Sequence, residues 1–181
     1  MALREITMLE LNEHTAAADV PALLAAVVAG KDAGLLSEAG LPAIADPGAQ
    51  LVAHAHAQGV TVIPHVGPSS ILLALMASGL EGQRFRFLGY LPADAVARKA
   101  RLAEIERQSA KDSETQIFIE TPYRNDALLA DVLAACRATT RIAVAADLTS
   151  PREWIRVDSV EGWRSQPAAI GKRPAIFLLL A

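Results

Sequence analysis

Short apolar runs alternate along this chain with longer stretches of helical periodicity, and the links between them are short. This rhythm constrains the fold more than any other feature, because it marks a parallel sheet covered by helices. Weak alternation at 6–11 reads as a strand. Residues 19–28 are apolar at helical spacing and stop at Gly30, which is placed to be the left-handed residue after a helix. A short strand is expected at 33–36, followed by the loop 37–48 (SEAGLPAIADPG). Asp46 and Pro47 suit the N-cap and first position of a helix that runs to about 58 and ends at Gly59. The β-branched run 60–63 reads as a strand. Gly67, Pro68, Ser69 and Ser70 then open a helix over 71–78 that stops at Gly79.

Residues 83–92 (QRFRFLGYLP) break this rhythm. Phe85 and Phe87 alternate with Arg84 and Arg86, as in a half-exposed strand. The domain boundary is placed here, giving an N-terminal α/β domain over 1–88 and a C-terminal α/β domain over 89–181. In the second domain a charged helix is expected at 94–111 and a strand at 115–120. Thr121 and Pro122 open a helix to about 137. Further strands are expected at 141–146, 154–157 and 174–180, with a short helix at 160–163.

Hydrophobic residues make up 52% of the 181, but aromatics only 4%, so the core must be built from Ala, Leu, Val and Ile. No apolar run approaches the ~18–20 residues of a membrane span, and no basic-then-apolar leader opens the chain. Membrane association is therefore not expected. Cys136 is the single cysteine, so a disulfide framework is excluded and a cytoplasmic protein is the natural reading. Cys136 itself reads as a buried small apolar residue. The net charge of −3 is uneven: residues 1–83 hold 2 Lys/Arg against 8 Asp/Glu, whereas 84–181 hold 15 against 12. A sign change of this kind suits a second part that meets an anion, and suits ordinary surface variation equally well.

The sequence contains no G-x-G-x-x-G, no G-x-x-x-x-G-K-[ST] and no G-x-S-x-G. His54 and His56 are two apart on a helix and do not share a face, so no metal site is expected. Two loops stand out. In the turn 67–70, proline at the first helical position presents the following amides to whatever lies above the sheet. The loop 37–48 is about twice the usual 2–6 residues of a strand-to-helix link, and Glu38 lies just past a strand end. Thr121, Pro122, Tyr123 and Arg124 place a phenol and a guanidinium on a first helical turn. The basic series Arg98, Lys99, Arg101, Arg107 and Lys111 interleaves with Glu104, Glu106 and Asp112, as on a salt-bridged solvent face.

Taken together, these segments resemble the tetrapyrrole methylase superfamily of S-adenosylmethionine (SAM) enzymes. The likeness is greatest to its branch that methylates a ribose 2′-oxygen of small-subunit ribosomal RNA. That branch carries S-D-A-G-T-P…D-P-G, P-G-P-S-A, G-F-L-P, E-S-P-H-R and E-L-T. This chain has SEAGLP…DPG from Ser37, VGPSS from Val66, GYLP from Gly89, ETPYR from Glu120 and DLT from Asp147. Asn12 and Glu13 match a further N-E pair, and order and spacing agree over nearly the whole chain.

The resemblance implies two α/β domains with SAM in the cleft between them. By position, Ser37, Glu38 and Ala39 would touch the methionine moiety or ribose, and Ser69 and Ser70 would meet SAM from the second loop. Glu120, Leu148, Pro174 and Ala175 would close over the adenosine. Glu120 and Glu13 are candidate bases, and Arg124 a candidate phosphate contact. A homodimer without metal, acting on ribosomal RNA or the small ribosomal subunit, is implied. Departures include Glu38 for Asp, Leu41 for Thr and Tyr123 for His. The family's first strand and Pro/Gly-rich loop precede the point where this chain starts, so the first domain is expected to lack its N-terminal strand. Two alternatives stay open: a truncated or diverged non-catalytic relative that folds as a dimer, and a methyltransferase acting on a tetrapyrrole or another small molecule.

Overall fold

The structure is a computed structural model and describes residues 6–181. The chain divides into two compact units, the first ending at Ser69 and the second running over 70–181. This division precedes the 88/89 boundary read from the sequence. The reason lies in helix 70–78, which packs on the sheet of the second unit.

The first unit is helical and irregular. It contains α1 (Val20–Leu23), α2 (Ala25–Val28) and α3 (Ala49–Ala57). The single helix expected over 19–28 is instead two one-turn helices that meet at Leu24. Its predicted end is observed. Gly30 takes φ +87°, its N–H donates to the Val27 carbonyl, and the Lys31 N–H donates to that of Ala26, a Schellman ending. The next helix begins at Ala49, not Pro47. Gly48 at φ +138° is the capping residue, and the Asp46 side chain does not cap.

The strands expected at 6–11, 33–36 and 60–63 do not form. Among the described residues no strand precedes Phe85. An apolar or β-branched run expresses a preference, but a strand exists only where its N–H and C=O groups pair with a neighbour. These runs find no such neighbour. They also stand in solvent, with Leu9 62%, Leu36 79% and Ile63 69% exposed.

The second unit is a layered α/β structure. Strands β1 (Phe85–Tyr90), β2 (Thr115–Ile119), β3 (Arg141–Ala146), β4 (Trp154–Ser159) and β5 (Ala175–Leu180) form one sheet in the order β1-β2-β5-β3-β4. The all-parallel sheet expected from the alternation is not what forms here. Only β1 and β2 pair in parallel, while β5 runs antiparallel to β2 and β3, and β4 antiparallel to β3. The link 147–153 between β3 and β4 is too short for the dozen or so residues that a parallel crossover needs.

Helix α4 (Ser70–Ser78) covers one face of this sheet. Helices α5 (Ala95–Asp112), α6 (Asn125–Ala135) and α7 (Val160–Ser165) supply the other. Alternation along the strands sorts the side chains. Ile117, Ala143, Ala145, Ile176 and Leu178 meet Ile71, Ala74 and Leu75 of α4. Phe118, Ile142, Val144, Phe177 and Leu179 meet Leu102, Ile105, Leu128, Val132 and Trp163. Because both faces are covered, the central strands read as continuous apolar runs. Phe118 and Phe177, opposite each other on β2 and β5, stack with centroids 5.9 Å apart. The Trp163 indole N–H donates to the Ile142 carbonyl at 3.0 Å.

Arg98 does not belong to a solvent face: it is 5% exposed. Its Nε and Nη2 reach Asp131 Oδ2 at 2.8 and 2.5 Å, and Nη1 donates to the carbonyls of Pro92 and Ala93. The helix periodicity turns position 98 inward, and an acidic partner on α6 makes burial of the guanidinium possible. The Arg101–Glu104 pair does stand on the outer face.

Candidate functional site

The candidate residues of the second unit converge on one edge of its sheet. Register places them there. Tyr90 at the end of β1 pairs Ile119, Ile119 pairs Ile176, and Ala146 pairs both Ala175 and Trp154. Glu120, Pro174 with Ala175, and Asp147 with Leu148 therefore lie side by side where β2 and β3 end and β5 begins. Ligands of open α/β sheets bind at the carboxyl ends of strands.

Glu120 is the buried centre of this edge, 5% exposed. Its Oε1 accepts from the Thr121 N–H and from Arg124 Nη2, both at 2.6 Å. Its Oε2 has no partner, and neither have Arg124 Nε and Asn125 Oδ1, all three buried. Buried polar atoms are nearly always hydrogen-bonded, so three exceptions within six residues mark a place built for more than packing. The Thr121 side chain makes no capping bond, in contrast to the sequence reading. Residues Pro122–Arg124 form a 3-10 turn before α6 starts at Asn125.

The neighbouring loop is held in an unusual conformation. Asp147 and Thr149 take φ +51° and +66° without being glycine, conformations that cost about 1–2 kcal/mol each and that cluster at functional sites. The Asp147 carboxylate holds Arg173 Nε at 2.8 Å, and its N–H donates to the Pro174 carbonyl. The Arg173 guanidinium lies 5.6 Å from the Trp154 ring, and Lys172 Nζ lies 5.1 Å from that of Tyr123.

In the first unit, the loop 37–48 turns through four left-handed residues: Gly40, Ala43, Ala45 and Gly48. A side chain at Gly48 would meet Leu35 Cδ2 at 2.9 Å and the Ala43 nitrogen at 3.2 Å, so that position requires glycine. Ser37 Oγ donates to the Ala39 carbonyl and accepts from its N–H, while Glu38, Ala39 and Ser70 are exposed and Ser69 is buried. Glu13 is exposed, with His14 Nε2 3.7 Å away, beside a turn in which Asn12 Oδ1 accepts from the His14 N–H.

Among the candidate catalytic residues, the structure thus joins Glu120 and Arg124. Asn125, Asp126 and Arg173 were not picked out from the sequence. Only the buried neighbours supplied by the fold distinguish them from ordinary polar residues of a helix start and a loop. A shallow cavity of about 250 Å³, lined by Glu81, Ser113, Thr139, Arg141, Leu180 and Ala181, lies at the opposite sheet edge and holds none of the candidates. Among the described residues no group of three or more His, Cys, Asp or Glu is placed to hold a metal ion. No helix among them is long and apolar enough to cross a membrane.

Residues 3–162 match the family described as Tetrapyrrole (Corrin/Porphyrin) Methylases. The chain belongs to that family. It is 38% identical over 146 residues to a Vibrio cholerae protein named ribosomal RNA small subunit methyltransferase I, covering 81% of this chain and 49% of that one. Proteins of the same name show 35% identity over 152 residues in Pseudomonas aeruginosa (84% and 52% covered) and 39% over 142 residues in Xylella fastidiosa (78% and 50% covered). The chain spans about half the length of these curated relatives. The crystal structure of the methyltransferase CobJ superposes with a TM-score of 0.57 over 97% of this chain and 78% of that one. At 16% identity this likeness supports the fold, a tetrapyrrole-methylase α/β architecture.

Proposed function

We propose that the chain is a SAM-dependent methyltransferase whose acceptor is a ribose 2′-oxygen of small-subunit ribosomal RNA, working as a cytoplasmic homodimer. The observation that carries this reading is the identity of 35–39% to proteins named for that RNA subunit. The site chemistry is compatible with it. The adenosine of SAM carries ribose hydroxyls and an amino group, all donors, and Glu120 Oε2 is a buried acceptor with no partner.

In this reading Glu120, Leu148, Pro174 and Ala175 hold the adenosine, and Ser37, Glu38, Ala39, Ser69 and Ser70 meet the rest of SAM. The bound sulfonium supplies an electrophilic methyl group, so the protein's task is to orient the acceptor and accommodate its proton. Arg124 keeps Glu120 Oε1 engaged and leaves Oε2 as the oxygen able to accept. Glu120 and Glu13 are the candidate bases. Arg124, with its side chain 38% exposed, is the candidate contact to an RNA phosphate.

Calorimetric titration of the 181-residue chain with S-adenosylhomocysteine tests the cofactor half of the proposal. Micromolar binding, about −8 kcal/mol, is expected, and a folded chain that does not bind overturns it. Transfer of labelled methyl from SAM to small-subunit RNA tests the acceptor. Transfer to a tetrapyrrole or another small molecule instead would replace it.

A further inference from the structure

We propose that Asn125 is a positioning residue of the cofactor site, holding residues 170–173 as a strap that fixes Leu148, Pro174 and Ala175 relative to Glu120. This inference rests on the cofactor reading above.

Asn125 opens α6 and is fully buried. Its side-chain amide donates to the carbonyls of Gly171 at 3.0 Å and Arg173 at 2.7 Å. The adjacent Asp126 Oδ1 accepts from the N–H groups of Ile170 at 2.7 Å and Gly171 at 3.2 Å. One helical turn, directly after the Glu120–Arg124 pair, thus grips Ile170, Gly171 and Arg173, three residues of the segment that leads into β5. The same segment is fastened on its other side. Arg173 reaches Asp147 Oδ2 at 2.8 Å and the Arg152 carbonyl at 2.6 Å, and the Pro174 carbonyl accepts from the Asp147 N–H at 3.0 Å. The strap therefore connects the start of α6, next to the Glu120–Arg124 pair, to the left-handed loop that carries Leu148.

Stability alone does not explain the side chain. Asn125 Oδ1 is buried without a partner, a cost that an apolar side chain of similar shape avoids. Gly171 and Arg173 are only partly buried, so water can serve their carbonyls. What asparagine adds is two directed bonds at fixed separation.

The test compares the 181-residue chain with Asn125→Leu by S-adenosylhomocysteine calorimetry, thermal melting and amide hydrogen exchange. A Kd raised about tenfold is expected, with faster exchange of the Asp147 amide, which the Pro174 carbonyl holds across the strap from the mutation. Asn125→Ser keeps one donor and little bulk. It should lose about threefold, and it serves the comparison if the leucine variant does not fold. Glu106→Gln is the structural control. Its carboxylate accepts from the Arg137 N–H and the Thr140 hydroxyl near the start of β3, at the far edge. It should lower Tm and leave the Kd within about twofold. A Kd unchanged in both Asn125 variants, or raised equally by Glu106→Gln, overturns the proposal and leaves the cofactor reading standing. A parent chain that does not bind overturns both.

Discussion

The two units of this chain have similar apolar propensity and different outcomes. Residues 60–63 (VTVI) and 141–146 (RIAVAA) are both β-branched and apolar enough to be strands. The second becomes β3, paired on both sides and buried from Ile142 to Ala146. The first remains without a ladder, and Ile63 stays largely exposed. Strand formation is thus a property of pairs, and propensity alone does not create it.

The comparison breaks most visibly if the second unit does not carry the stability. Trp163→Ala removes a fully buried indole and its bond to Ile142. It should cost about 3–5 kcal/mol, read as a loss in urea midpoint. An effect below about 1 kcal/mol would show that the packed sheet is not the dominant cooperative unit.

Cys136 sharpens the comparison through pH. Burial first, and then the nearby Glu106 carboxylate, push its thiol from 9.0 to about 12. The folded state holds this proton more tightly than the unfolded state does. The associated stability is therefore complete below pH 9 and is lost as pH rises through the window from 9 to about 12. The slope is about 1.4 kcal/mol per pH unit. Cys136→Ala should remove that slope from the alkaline limb of a stability–pH curve. An unchanged slope would mean that the thiol is not buried as described.

The smallest effect belongs to the first unit. Ile63→Thr should change stability by less than about 0.5 kcal/mol, because the side chain already meets solvent. A loss of 1 kcal/mol or more in melting experiments would mean that this run is packed in solution.

Much of the second unit was legible in the sequence because local chemistry and tertiary context agree there. The Asp94 carboxylate caps α5 by accepting from the Ala97 N–H at 2.8 Å, and β3 spans the residues expected of it. Arg98 was misread because helical spacing shows which positions share a face but not what that face meets. The site was legible as segments, since ETPYR and DLT stand out as motifs. Its geometry was not. Nothing in the letters shows that Glu120 spends one oxygen on Arg124 and keeps the other free, or that Asn125 spans two carbonyls 46 and 48 residues away.

By itself the sequence determined the family, the α/β rhythm of the second unit and the glycine stops of the helices, because these depend on residues within a few positions of one another, whereas the caps read at Asp46 and Thr121 did not form. Only the tertiary structure decided which apolar runs became strands and that β4 and β5 run against the other three. It alone also decided that the segments 120–126, 147–149 and 170–174 form one connected edge. Each of these outcomes depends on pairing or burial between distant segments, where an N–H or a carboxylate gains its partner only once the chain has folded.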